Sequence, residues 1–278
     1  MPIKVTPFRA AIVIITAANA LLWSASAFED EAKRSTQLTL QVIALPAPRF
    51  AEPLHKYIEV VNGCSAHYEG FCVDVRAGPG EEYRITGRLR MGVVLKVGAT
   101  QTNESGTWYR IVYHEPIRYP ERLARAQYVR AGGSVRYFFT DGTQDLARGS
   151  ETSTKKMVVV DRSEQMLYAY DGDDLFLQTA ISTGLDITPT PRGAFTVYRK
   201  TPTRYMQGPL PGISKQFYDL PGVPWNLYFT QDGGVIHGAY WHNSFGRKWS
   251  NGCVNVPLDK AEELYEWAEL GMRVVVRD

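Results

Sequence analysis

The sequence of 278 residues lacks a charge excess of either sign. Its 31 basic side chains stand against 29 acidic ones, a formal net charge of +2. Nucleic-acid binding normally leaves a basic patch or stripe, so this balance gives no case for a nucleic-acid partner. Cysteine and histidine are scarce, with three and five copies. Beyond the N-terminal stretch no apolar run is long enough for a membrane span of ~20 residues. Apolar residues at 44% and charged residues at 22% are ordinary for folded domains, which excludes disorder of the whole chain. The length fits one large domain or two modest ones, each able to bury a core.

The N-terminus reads as a targeting segment. Lys4 and Arg9 precede a mostly apolar run from Ala10 to Trp23, and Ala25-Ser26-Ala27 fits the small-residue pattern before a cleavage site. Residues 1–27 are therefore expected to be a signal peptide. Left uncleaved, the same stretch would be a membrane anchor, but its apolar run is short for one. No cysteine lies near the cleavage site, so no lipoprotein anchor is expected. Export places the protein in the periplasm or cell wall, an oxidising setting. There Cys64 and Cys72 are close enough in sequence to pair, which leaves Cys253 as an odd thiol, either inert and buried or reactive.

The fold class expected is mainly β. Residues 28–54 carry Pro46, Pro48 and Pro53 and read as a linker. Residues 55–141 alternate short strands rich in Val, Ile, Tyr and Trp with turns rich in Gly, Pro and Asn, the pattern of a small β-barrel. Residues 142–155 are polar and read as a second linker. Residues 156–278 form a second domain with strands at 157–160, 166–170, 175–181, 195–199, 227–229, 235–237 and 273–276. A late helix is expected with Asp259 as its cap; Ala261, Leu264, Tyr265 and Ala268 share one face, and Gly271 follows its end.

Chemistry concentrates between Ile236 and Pro257. Cys253 follows Gly252, and His237 lies sixteen residues earlier at the end of an expected strand. A thiol needs a base to become a thiolate, and imidazole is the usual partner. The loop between them, with Asn243, Ser244, Gly246 and Ser250, could fold the two together. Backbone N–H groups at Gly252 and Cys253 could hold an oxyanion. His242 lies in the same loop, but the His237/His242 spacing is not a familiar metal pattern, and no Asp or Glu beside them completes one. No metal is expected. His55, His67 and His114 have no matching context.

These residues resemble an L,D-transpeptidase catalytic domain of the YkuD type. His237-Gly238 matches the family's His-Gly or His-Ser strand end, and Ser250-Asn251-Gly252-Cys253-Val254-Asn255 its Ser-His-Gly-Cys stretch. Upstream, Asp161 to Tyr168 looks like the opening hairpin, and Ser182-Thr183-Gly184 and Thr188-Pro189-Thr190-Pro191-Arg192-Gly193-Ala194-Phe195 its "STG…TPTP" stretch. The resemblance implies a β-sandwich and acyl transfer on peptidoglycan stem peptides, forming 3–3 cross-links through a Cys253 thioester. His237 would be the base, and the Gly238 backbone carbonyl would orient its ring. Ser250, Asn251, Asn255, His242 and Tyr240 would line or shape the substrate cleft, and no cofactor is implied. Arg247 and Lys248 are either a carboxylate lure or a solvated pair. One departure is Asn251, where the family usually has His. It keeps open a degenerate wall-binding protein. An NlpC-type wall hydrolase is the other alternative, although there the Cys precedes the His. Residues 73–80 (VDVRAGPG) resemble a turn of bacterial SH3-like modules, which implies a small barrel that binds the cell wall or acts as a spacer.

Overall fold

Strands rich in β-branched and aromatic residues build three sheets in the computed structural model, which describes residues 54–147, 149 and 154–278. The expected signal peptide, and the expected linker up to residue 53, lie outside the described residues.

The first sheet comprises β1 (His55–Val60), β2 (Val73–Arg76), β3 (Ile85–Leu89), β4 (Val94–Asn103), β5 (Gly106–Val112), β6 (Tyr128–Arg130) and β7 (Val135–Thr140). Its order is β3-β2-β6-β5-β4-β1-β7, antiparallel throughout. A closed barrel is not found: no ladder joins β3 to β7 among the described residues. The unexpected strand is β7, which pairs along the outer edge of β1 from His55↔Thr140 to Val60↔Val135. Cys64 and Cys72 are disulfide-bonded, with α-carbons 4.4 Å apart.

Two further sheets follow. β9 (Lys156–Asp161), β10 (Met166–Asp171), β11 (Asp174–Ala180), β12 (Gly193–Thr196) and β17 (Arg273–Arg277) lie in the order β11-β10-β9-β17-β12. β8 (Gln144–Asp145), β13 (Arg199–Gln207), β14 (Asp219–Tyr228), β15 (Val235–Gly238) and β16 (Val254–Val256) lie in the order β16-β15-β14-β13-β8. Val158, Leu167 and Val274 of one sheet share a core with Leu227, Ile236 and Val254 of the other, which makes a β-sandwich. Helix α1 (Leu258–Trp267) buries Ala261, Leu264 and Tyr265 against that core. It begins earlier than its expected cap: Pro257 is the N-cap residue, and Asp259 sits in the first turn, where its charge suits the helix dipole. Residues 200–207 of β13 and 219–226 of β14 are not expected as strands. Pro202, Pro221, Gly222 and Pro224 interrupt them, and such residues read as breakers in isolation.

The first sheet shares this core. Tyr57 and Val94 belong to it. An aromatic chain crosses the junction, with ring centroids 5.7 Å apart for Tyr57–Phe138, 5.5 Å for Phe138–Trp225 and 5.3 Å for Trp225–Tyr265. The Thr203 hydroxyl also donates to the Val94 carbonyl. The described residues from 54 to 278 accordingly form one compact unit. A shared core predicts that far-UV and near-UV circular dichroism report one coincident denaturant transition. Trp225→Ala should lower its free energy by about 3–5 kcal/mol. Two separated transitions in the parent protein would contradict the shared core.

Candidate active site

The parallel ladder between β15 and β16 fixes how the segments that carry His237 and Cys253 run relative to each other. Ile236 pairs with Val254, and His237 with Asn255, so the chain entering β16 from Cys253 runs beside the strand that carries His237. Val235, Ile236, Val254 and Val256 are all buried, so the register is held by apolar packing on a β-branched pair of strands.

His237 is fully buried, and its Nδ1 lies 3.0 Å from the Gly238 carbonyl oxygen. A carbonyl only accepts, so Nδ1 carries the proton and Nε2 keeps its lone pair. Nε2 is sealed from solvent and has no hydrogen-bond partner among the described residues. Burial pushes the imidazole pKa down to about 3; the Gly238 carbonyl opposes this, and the charge on Arg204 adds to it. The ring is thus a neutral acceptor with the tautomer a base requires. Trp241 covers it, with ring centroids 5.7 Å apart.

Cys253 is a free, half-buried cysteine. Its thiol faces the Gly233 carbonyl oxygen at 3.7 Å. Burial raises the thiol pKa, opposed by the Arg204 charge and by a hydrogen bond from the Val235 backbone. At rest the pair is therefore a neutral thiol and a neutral imidazole.

The nucleophile loop is braced by the segment before β12. Trp249 N–H and Ser250 N–H donate to the Thr183 carbonyl at 2.9 and 3.0 Å, and Leu185 N–H donates to Ser250 O at 2.9 Å. The Thr190 hydroxyl donates to Gly252 O and accepts from Gly184 N–H, both at 2.9 Å. Gly184 admits no side chain: a Cβ there would lie 2.0 Å from Thr188 O. Gly252 has φ +113°, a conformation that L side chains rarely adopt.

The expected cleft residues divide. Ser250 Oγ donates to Cys253 O at 2.5 Å and accepts from Gly252 N–H at 3.1 Å. That second bond corrects one assignment: the Gly252 N–H is engaged by Ser250 and is not aimed at an oxyanion. Asn251 is at the surface side of the loop and donates to Gln216 Oε1 at 3.2 Å. His242 and Asn255 are 3% and 2% exposed and brace each other, Nε2 to the Asn255 amide at 2.8 Å, while Ser244 N–H donates to His242 Nδ1. His242 is thus a brace beneath the loop and not a cleft wall. Tyr240 also departs from the expectation. It belongs to the core of the first sheet, with its hydroxyl donating to Pro221 O at 2.6 Å. Arg247 donates to Ser244 Oγ, and Lys248 pairs with Asp186 at 2.6 Å. Among the described residues no group of three or more His, Cys, Asp or Glu could hold a metal ion. Sequence reasoning missed Arg204, Glu115 and Gln216, which carry no local motif; Thr183 and Thr190 lie in the "STG…TPTP" stretch, where their bracing role could have been found.

Residues 155–276 match the family model of YkuD, the L,D-transpeptidase catalytic domain, a match to less than half of the chain. No curated protein matches. Among solved structures, an Enterococcus faecium L,D-transpeptidase mutant is 28% identical, over 44% of this chain and 49% of that one, with TM-score 0.40. An L,D-transpeptidase from Mycobacterium smegmatis is 22% identical, over 66% and 93%, with TM-score 0.43. L,D-transpeptidase 3 from Mycobacterium tuberculosis, in complex with a faropenem-derived adduct, is 20% identical, over 66% and 78%, with TM-score 0.43. This chain spans about half the length of the E. faecium protein. With TM-scores below 0.5 these likenesses add nothing to the family match.

The two buried imidazoles make stability depend on pH. Burial holds His237 at about 3 and His242 at about 4 when folded, against ~6.5 when unfolded. Below pH ~6.5 the unfolded chain binds protons that the folded chain refuses, down to about 4 for His242 and about 3 for His237. Stability is therefore full above pH ~6.5 and falls on acidification, by up to about 1.4 kcal/mol per pH unit for each ring. Thermal melting should drop across that window, and His242→Asn should have a clearly shallower slope than the parent. A flat parent profile would refute the buried neutral state.

Proposed function

We propose, from the premise that residues 155–276 are a YkuD-family L,D-transpeptidase catalytic domain, that this protein is an exported acyltransferase acting on peptidoglycan stem peptides. The observation that carries the reading is His237: its Nδ1 is tied to the Gly238 carbonyl, its Nε2 is sealed and unpartnered, and its strand runs beside the one that follows Cys253.

The thiol turns from Gly233 O toward Nε2 and gives up its proton. Sγ attacks the carbonyl carbon of the third residue of a tetrapeptide stem. The C–N bond to the terminal D-alanine breaks, His237 returns the proton to the leaving amine, and a thioester remains. An amine of a second stem attacks the thioester, its proton passes through His237 to the departing sulfur, and a 3–3 cross-link results. The Cys253 N–H is the donor proposed for the oxyanion, since Gly252 N–H is occupied by Ser250. The first sheet is proposed to contact the wall beside the cleft.

A wall-binding protein without turnover is the second reading, favoured by Asn251 in the position of the family's usual His. An NlpC-type hydrolase is disfavoured by the order of the residues, His237 before Cys253. Incubation with disaccharide-tetrapeptides followed by mass spectrometry separates these. The parent protein should yield cross-linked dimers and an acyl-enzyme on Cys253. Cys253→Ala should yield neither, and His237→Ala should lose acylation by about 100-fold or more. Asn251→His should keep activity or raise it modestly. An inert parent that Asn251→His activates would establish the binder instead.

A further inference from the structure

A cavity of about 210 Å³ has no part in the chemistry above. Its walls come from β2 and β3 of the first sheet, from the excursion between β5 and β6, and from β13 and β14. Neither His237 nor Cys253 lines it. A cavity of ~150 Å³ already admits benzene, so this one has room for a ligand of amino-acid size. Three arginines line it, Arg88, Arg90 and Arg122, against one acidic residue, Asp219. Arg88 has a counter-ion, Asp74 at 3.7 Å. Arg90 has none within 4.0 Å among the described residues, although it is only 7% exposed. Its guanidinium carbon lies between two rings, 4.6 Å from the Tyr68 centroid and 4.8 Å from that of Tyr240. Its Nη1 donates to the Ala66 carbonyl at 3.1 Å, inside the loop that the Cys64–Cys72 disulfide closes. No hydrogen bond of Nε or Nη2 is formed among the described residues. Arg122 is also held by backbone and ring: Nη1 donates to Gly208 O at 2.7 Å, and the Tyr119 centroid is 3.8 Å from its guanidinium carbon.

A buried cation is costly without an anion beside it. Two ring faces and one carbonyl hold the Arg90 guanidinium in place but bring no counter-charge. The edge it leaves free, Nε with Nη2, is one that grips a planar anion by two parallel hydrogen bonds. Asp219 narrows the choice. Its Oδ1 accepts from Gln207 Nε2 at 3.1 Å, and its charge repels a ligand with a second negative charge while favouring one that brings an N–H donor. A carboxylate with an N–H on the adjacent carbon meets both demands. That is the chemistry of a peptide C-terminus and of a free amino acid.

We propose that this cavity is a second binding site, in which Arg90 and Arg122 hold the carboxylate of a peptide C-terminus or free amino acid and Asp219 accepts from its N–H. The binding itself does not depend on turnover at Cys253. It gives the proposed contact of the first sheet with the wall a chemical basis, the free C-terminus of a stem peptide, and only that last step rests on the reading of the protein as a wall enzyme.

The test titrates the full chain with four probes, followed by ligand-observed NMR: N-acetylglycine for the peptide terminus, glycine for the free amino acid, N-acetylglycinamide, and inorganic phosphate. One or both acids should bind, the tighter of the two naming the source. The amide and phosphate should bind more weakly by about 10- to 100-fold, the value of a charge-assisted hydrogen bond or pair. Arg90→Gln and Arg122→Gln should each weaken the acid by about 10-fold or more. Alkylation of Cys253 with iodoacetamide should leave the affinity unchanged. No binding of either acid by the parent overturns the proposal, and so does phosphate bound as tightly as the acid. Loss of binding on alkylation puts the ligand at the catalytic cleft and overturns it too. An Arg90→Gln protein that melts lower yet binds as the parent does marks a purely structural arginine and counts against the site. If that variant does not fold, Arg122→Gln decides, an unchanged affinity overturning the proposal. Failure of the acyl-transfer reading would show in the disaccharide-tetrapeptide assay and leave these affinities untouched.

Discussion

The parallel pairing of Val235–Gly238 with Val254–Val256 is the constraint on which the site depends. A parallel pair needs a long crossover connection, and here that connection is the segment that ends in Gly252 and Cys253. The ladder sets the register of His237 against Asn255, and the hydrogen bond of Nδ1 to Gly238 O then sets the tautomer. Position and protonation state of the imidazole thus come from two adjacent residues of one buried strand. Little remains for a flexible side chain to decide.

The crossover loop has to be held at a fixed depth for this to matter. Thr183, Gly184, Leu185 and Thr190 do so almost entirely through backbone and hydroxyl hydrogen bonds to Trp249, Ser250 and Gly252. Gln165 extends the brace to the β9/β10 hairpin, since its amide donates to Thr183 Oγ1 at 2.7 Å and accepts from Thr183 N–H at 2.9 Å. His242 and Asn255 close it from below. These residues hold in place the loop that carries the Cys253 thiol.

The first sheet contributes more than a mount. Its excursion between β5 and β6 reaches the third sheet, where Tyr119 N–H donates to Gln207 Oε1, Tyr119 Oη to Pro209 O and Arg122 Nη1 to Gly208 O, at 2.7–2.8 Å. The same excursion supplies Glu115 to Tyr228. The segment after Gly208 leads to Gln216, the partner of Asn251. Residues 115–122 thereby brace β13, β14 and the segment between them.

The sequence by itself determined what is local. Periodicity exposed the late helix face of Ala261, Leu264 and Tyr265, strand alternation exposed the hairpins of the second sheet, and ordered short motifs marked out the imidazole of His237 and the thiol of Cys253 as the groups on which the proposed chemistry rests. These signals survive in isolation because each lies within one element or one short run of residues. The tertiary structure decided the rest. Strands β13 and β14 carry prolines that read as breaks, and only their pairing with each other and with β15 makes them strands. Gly252, Tyr240 and His242 took other roles because Ser250, Pro221 and Asn255 reach them first. Arg204 has no motif at all. Only folding buries its Nε and Nη1 with no hydrogen-bond partner among the described residues, and no spacing along the chain encodes that.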